Sequence, residues 1–66
     1  MTVTLNDKTV NIEQQTTLGK LLEQQGVKPN GIATAVNGNV IPATKRNTTT
    51  LADGDKIIII TAFYGG

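Results

Sequence analysis

The residues best placed to do chemistry in this sequence are its last two, Gly65 and Gly66. Glycine has no side chain and adopts backbone angles closed to other residues. A carboxylate carried on two glycines can pass a narrow channel and be aligned for reaction inside another protein. A frayed end without a role has the same composition. The rest of the chain offers little chemistry of its own. It contains no Cys and no His. That removes disulfides and thiolate metal sites, together with the side chain that titrates near neutrality. We expect no metal site and no catalytic group belonging to the chain itself.

A chain of 66 residues makes one domain. At this size only about 60% of the unfolded surface is buried, so the core is marginal and an enclosed enzyme pocket is not expected. The net charge is +1, with both signs scattered along the chain. The longest basic run, Lys45-Arg46, reads as solvated surface or as a contact for an acidic partner. Phe63 and Tyr64 are the only aromatic residues. Nucleic-acid binding would want a basic stripe with stacking aromatics, so it is not expected. The first residues lack the charged-then-apolar pattern of a signal peptide. The longest apolar run, residues 57–60, is too short to span a bilayer. The expected location is the cytoplasm, without a membrane partner.

The elements that must carry the two glycines follow from periodicity. Val3 and Leu5 alternate with Thr2 and Thr4, which reads as a half-buried strand. Asn6-Asp7 is a turn, and residues 9–12 resume the alternation through Val10 and Ile12. Thr17 is a candidate helix cap. Leu18, Leu21 and Leu22 share one helical face, and Gly26 is placed to end the helix. Gly19 is a fault in that helix, costing about 1 kcal/mol against Ala. Residues 28–31 form a turn, residues 32–36 a third strand, and Asn37-Gly38 a tight hairpin turn. Val40-Ile41 is a short fourth strand ended by Pro42. Residues 43–50 show no usable period, and Leu51 is expected to return to the core. Asp53-Gly54-Asp55 is a turn, and residues 56–63 form the last strand. This order argues for an α+β domain, a mixed sheet of four to five strands with one helix on one face.

The last strand does not alternate. Residues 57–60 are all isoleucine, apolar at both parities. A strand apolar on both faces should be covered on both, and one short helix covers only one. We expect Ile57 and Ile59 in the core, and Ile58 and Ile60 on an exposed patch kept for a partner. Strand propensity alone would also favour isoleucine here. The patch would lie immediately before Phe63, Tyr64 and the glycines.

The order of these elements and the Gly-Gly end resemble the β-grasp sulfur carriers of the ubiquitin-like family, and most of all the ThiS-like carriers of thiamine biosynthesis. The matching residues are the opening strand ending in Asn6, Thr17-Leu18 with Leu21-Leu22-Glu23, Ala35-Val36-Asn37-Gly38 and Val40-Ile41-Pro42. Leu51, Asp53-Gly54-Asp55, the aliphatic last strand and Gly65-Gly66 complete the set. Two features depart from the family pattern: residues 43–50 lack an aromatic, and Phe63-Tyr64 stand where small or aliphatic residues are usual.

The resemblance implies a carrier and not an enzyme. A ThiF-like adenylating enzyme, supplying ATP and Mg²⁺, would activate the Gly66 carboxylate. A persulfide donor would convert the acyl-adenylate to a thiocarboxylate. A ThiG-like thiazole synthase would take the sulfur. Gly65 and Gly66 would be the modified terminus, residues 64–66 a flexible tail, and Ile58, Ile60, Phe63 and Tyr64 the partner-binding residues. No cofactor would be bound by the carrier. The alternatives are the small subunit of molybdopterin synthase (MoaD-like), a protein-conjugating modifier, or a β-grasp binding module with incidental glycines.

Overall fold

The computed structural model describes residues 1–61. The strands are β1 (Thr2–Leu5), β2 (Lys8–Asn11), β3 (Ile32–Val36), β4 (Asn39–Ile41) and β5 (Lys56–Thr61). Helix α1 (Leu18–Gln24) lies between β2 and β3, and a 3₁₀ helix (Ala43–Thr48) between β4 and β5. The strands form one mixed sheet in the order β2-β1-β5-β3-β4. The last strand in sequence is therefore the central one in space. It runs parallel to β1 and antiparallel to β3.

Turn chemistry sets the two hairpins. Asn6 and Asp7 have φ of 47° and 71°, and Asn37 and Gly38 have φ of 51° and 84°. Paired positive φ values give the two-residue turn whose twist matches a hairpin. The helix starts where Thr17 Oγ1 accepts from the Lys20 N–H at 3.2 Å. It ends before Gly26, whose φ of 72° suits a residue without a Cβ. Leu18, Leu21 and Leu22 are buried. They meet Val3, Leu5, Val10, Ile12, Val36, Leu51 and Ile57 in a single core on one side of the sheet. No described helix is long and apolar enough to cross a membrane.

Two expectations change. The segment without a period, 43–50, contains the 3₁₀ helix, and Arg46 within it is buried, only 6% exposed. Arg46 is thus not solvated surface and is not available to an acidic partner. Its Nη1 donates to the Pro29 carbonyl at 2.9 Å, its Nη2 to the Ile32 carbonyl at 2.9 Å, and its Nε to Thr34 Oγ1 at 3.3 Å. Burying a cation is costly unless its donors are matched, and the fork of a guanidinium reaches several acceptors at once. Arg46 ties the 3₁₀ helix to the turn before β3 and to β3 itself. Lys45 beside it is exposed, as expected.

Gly19 also gains a reason. A Cβ at this position would run into the Asn47 side chain. The missing side chain lets α1 lie close to the 3₁₀ helix, which offsets the lost helix propensity. The start of α1 and the residues before it are tied to the segment after the 3₁₀ helix. The Leu18 N–H donates to the Thr49 carbonyl at 2.8 Å and the Leu51 N–H to the Thr16 carbonyl at 2.9 Å.

Replacing Arg46 by Ala should lower stability by about 2–3 kcal/mol, because it removes a buried side chain and its bonds to buried Thr34 and to the part-buried Pro29 and Ile32 carbonyls. Lys45→Ala should stay within about 0.5 kcal/mol, as for ordinary surface sites. Urea unfolding of both variants checks this, and equal effects would contradict the assignment. At Gly19 the measurable quantity is a coupling. Gly19→Ala should be more favourable in an Asn47→Ala background than in the native one by at least about 0.5 kcal/mol.

Candidate functional site

The candidate site is the outer face of β5 and the chain that continues from it. Alternation along β5 turns Ile57 and Ile59 towards the helix and Ile58 and Ile60 away from it. Ile57 is fully buried, while Ile58 and Ile60 are 42% and 61% exposed. Ile59 is partly buried against the core. The expected division of the four isoleucines into two faces is therefore found.

Register shows what surrounds the exposed pair. Ala35 lies opposite Ile58 on one side and Val40 on the other, and Ala33 lies opposite Ile60. Val40 is 75% exposed. Ile58, Ala35 and Val40 thus form one row across three strands, with Ile60 and Ala33 in the next. The alanines are low, so the branched side chains stand above them around a shallow trough. Thr4 and Lys56 pair at the β1 side and provide a polar rim. A contiguous apolar patch with such a rim is the usual form of a docking surface.

Val40 was not among the expected patch residues. The signal was present in the sequence, since the tight turn at Asn37-Gly38 fixes which residue of the next strand stands opposite Ala35. Phe63, Tyr64, Gly65 and Gly66, and with them the expected tail at 64–66, lie outside the described residues. Lys45-Arg46 is no part of the site, because Arg46 is spent on internal bonds.

On the helix side a cleft of about 510 Å³ opens between α1, the turn before β3 and the 3₁₀ helix, lined by Leu22, Val27, Pro29, Ala43 and Arg46 among others. It lies away from the face that carries Ile58 and Ile60. Among the described residues no cluster of three or more side chains has the makings of a metal site. Among the described residues the geometry offers an apolar surface for another protein.

Comparison with known proteins bears on what that surface serves. The ThiS family model matches residues 2–66. The crystal structure of the thiamine biosynthesis protein ThiS from Geobacter metallireducens superposes with a TM-score of 0.82 at 26% identity, covering 100% of this chain and 99% of that one. A solution structure of a thiamine biosynthesis protein from Geobacter metallireducens gives 0.77 at 28% identity, covering 100% and 88%. No curated protein matches.

The two faces of β5 should respond differently to a charge. Ile60→Lys should change stability by no more than about 0.5 kcal/mol while weakening association with an adenylating partner. Ile59→Lys should cost about 2 kcal/mol or more, since it forces an unpaired cation against the core. Thermal unfolding of the two variants decides it, and an Ile60→Lys protein as damaged as Ile59→Lys would remove the patch.

Proposed function

We propose, from the premise that this chain belongs to the ThiS family and is a sulfur carrier of thiamine biosynthesis, that its reactive group is the Gly66 carboxylate. The observation that carries this is the family match running through Gly66, in a fold whose central strand ends at Thr61, five residues before that terminus in sequence. The molybdopterin-synthase subunit and the binding module are not favoured by these comparisons.

A carboxylate resists attack because its charge is delocalised and its leaving group would be oxide. In the proposed cycle an adenylating enzyme of the E1-like kind supplies ATP and Mg²⁺. A Gly66 carboxylate oxygen attacks the α-phosphorus, and the bond to pyrophosphate breaks. The resulting acyl-adenylate has AMP as a good leaving group. The terminal sulfur of a protein persulfide attacks the Gly66 carbonyl carbon, AMP departs, and an acyl disulfide forms. A thiol then cleaves the sulfur–sulfur bond, leaving the thiocarboxylate on Gly66 and a disulfide on the donor side. A thiazole synthase transfers the sulfur to its acceptor, an oxygen from the acceptor's carbonyl or from water takes its place on the Gly66 carbonyl carbon, and the carboxylate returns. Electrophilic assistance, metal and nucleotide site all belong to the partner. The carrier is a co-substrate and not an enzyme.

The chain's own residues supply docking and delivery. Ile58, Ile60 and Val40 present apolar area to the partner, with Phe63 and Tyr64 continuing the contact. Gly65 and Gly66 leave the backbone narrow enough to enter the partner's channel and free enough to align the carboxylate. A cycle that needs reduced donor thiols and ATP fits the cytoplasm.

Incubation with an adenylating partner, ATP and a persulfide donor should raise the intact mass by the difference between one sulfur and one oxygen. Fragmentation should place that change on Gly66. Removing Gly66 should abolish it without altering the unfolding midpoint. A native chain whose mass never changes would refute the assignment.

A further inference from the structure

Two asparagine side chains grip β5, one near each end. At its start Asn37 Oδ1 accepts from the Lys56 N–H at 2.9 Å, and the Asn37 N–H donates to the Lys56 carbonyl at 2.8 Å. Asn37 Nδ2 also donates to Asp55 Oδ1 at 2.9 Å. The other grip, at Ile59, is the one that matters for the tail.

The parallel ladder between β1 and β5 runs through Thr4 N–H to the Asp55 carbonyl and Asn6 N–H to the Ile57 carbonyl, both at 3.0 Å. In a continued parallel pair the Asn6 carbonyl would next accept from the Ile59 N–H. It cannot, because Asn6 has φ of 47° and turns into the hairpin. The side chain takes over. Asn6 Oδ1 accepts from the Ile59 N–H at 2.8 Å, and Asn6 Nδ2 donates to the Ile59 carbonyl at 3.2 Å. Along a strand the N–H and C=O of one residue point to the same edge, so both Ile59 groups face β1 and not β3. One primary amide thus satisfies both. It acts as one extra rung beyond the end of β1 at Leu5, on the residue before Ile60.

We infer that Asn6 is a positioning residue for activation of the carrier. This rests on the Gly66 reading above. Asn6 does not touch the reacting atoms. It fixes the course of β5 at Ile59, so that a partner docked on Ile58 and Ile60 finds the continuing chain at one angle. When the chain beyond lies extended in a partner's channel, each residue adds about 3.3 Å of reach. A small rotation at Ile59 becomes a displacement of several ångströms at Gly66. Misplacement by about 1 Å can cost up to 10²-fold in rate. The amide bonds the Ile59 backbone at the β1 edge of β5 and not the Ile58 or Ile60 side chains, so the docking side chains themselves are unchanged.

The discriminating variant is Asn6→Gly in the full chain, since glycine keeps the positive φ and deletes only the amide. With an adenylating partner, ATP–pyrophosphate exchange should show KM for the carrier within about twofold of native and kcat about tenfold lower. Amide exchange at Ile59 should quicken while that at Leu21 stays native. Asn6→Asp keeps the acceptor for the Ile59 N–H and loses the donor, so its kcat should fall between the two. If Asn6→Gly also loosens Leu21, Asn6→Asp with a protected Leu21 decides. Faster exchange at Ile59 with native kcat would overturn the inference, as would a rise in KM alone. A native chain that supports no Gly66-dependent exchange would instead bring down the carrier assignment, and the role of Asn6 with it.

Discussion

The structure depends on the last strand of the sequence being the central strand of the sheet. β5 completes hydrogen bonding for β1 on one edge and β3 on the other, and Ile57 on it is fully buried. Without β5 the two hairpins are separate two-stranded units, which are marginal at best in water. The body therefore cannot be complete until nearly all of the chain is in place. β5 is held on the β1 side as far as Ile59, the last step by the Asn6 side chain, and on the β3 side as far as Thr61. In sequence, the end proposed to react follows directly on the folding keystone.

That arrangement also explains why the four isoleucines look redundant. In a one-sided sheet two of them would satisfy the core. Ile57 and Ile59 do so, while Ile58 and Ile60 have no use inside the domain. Their exposure would be a defect in a protein acting alone. It becomes intelligible in a carrier that must be recognised by more than one enzyme and has few other distinguishing features. Charge is scattered, and the one basic pair is half consumed internally. On the function proposed above, apolar shape on β5 and its row neighbours is what a partner would recognise.

Most of the fold was legible because its signals are local. Asn6-Asp7 and Asn37-Gly38 announce hairpins, Thr17 and Gly26 bracket the helix, and the leucines give its face. The division of β5 into two faces was legible from parity alone. Arg46 was not, because its partners at Pro29, Ile32 and Thr34 belong to other elements and two of them are backbone carbonyls. Backbone acceptors carry no sequence signature, and a neighbouring lysine disguised a structural arginine as a surface pair. Gly19 was misleading for a similar reason. Its value lies in the approach of Asn47, which helix propensity does not know about. Asn6 was seen as a turn residue, and its second task needs the parallel register that only the assembled sheet supplies.

A carrier with an apolar docking face also risks sticking to copies of itself. The exposed row is dangerous chiefly where free backbone accompanies it, since an open strand edge recruits other chains. Ile58 and Ile60 sit on the central strand, so their backbone is already committed. The edges are given to β2, with the polar sequence Lys8-Thr9-Val10-Asn11 and only Val10 turned to the core, and to β4, which is just three residues long. Val40 is the one exposed apolar residue on an edge, and Pro42 follows soon after to stop further pairing. Apart from Val40, the exposed apolar side chains and the open strand edges are thus kept on different strands. The same separation makes Asn6 necessary: a longer β1 would have held Ile59 by backbone, but would have delayed the turn that returns the chain as β2.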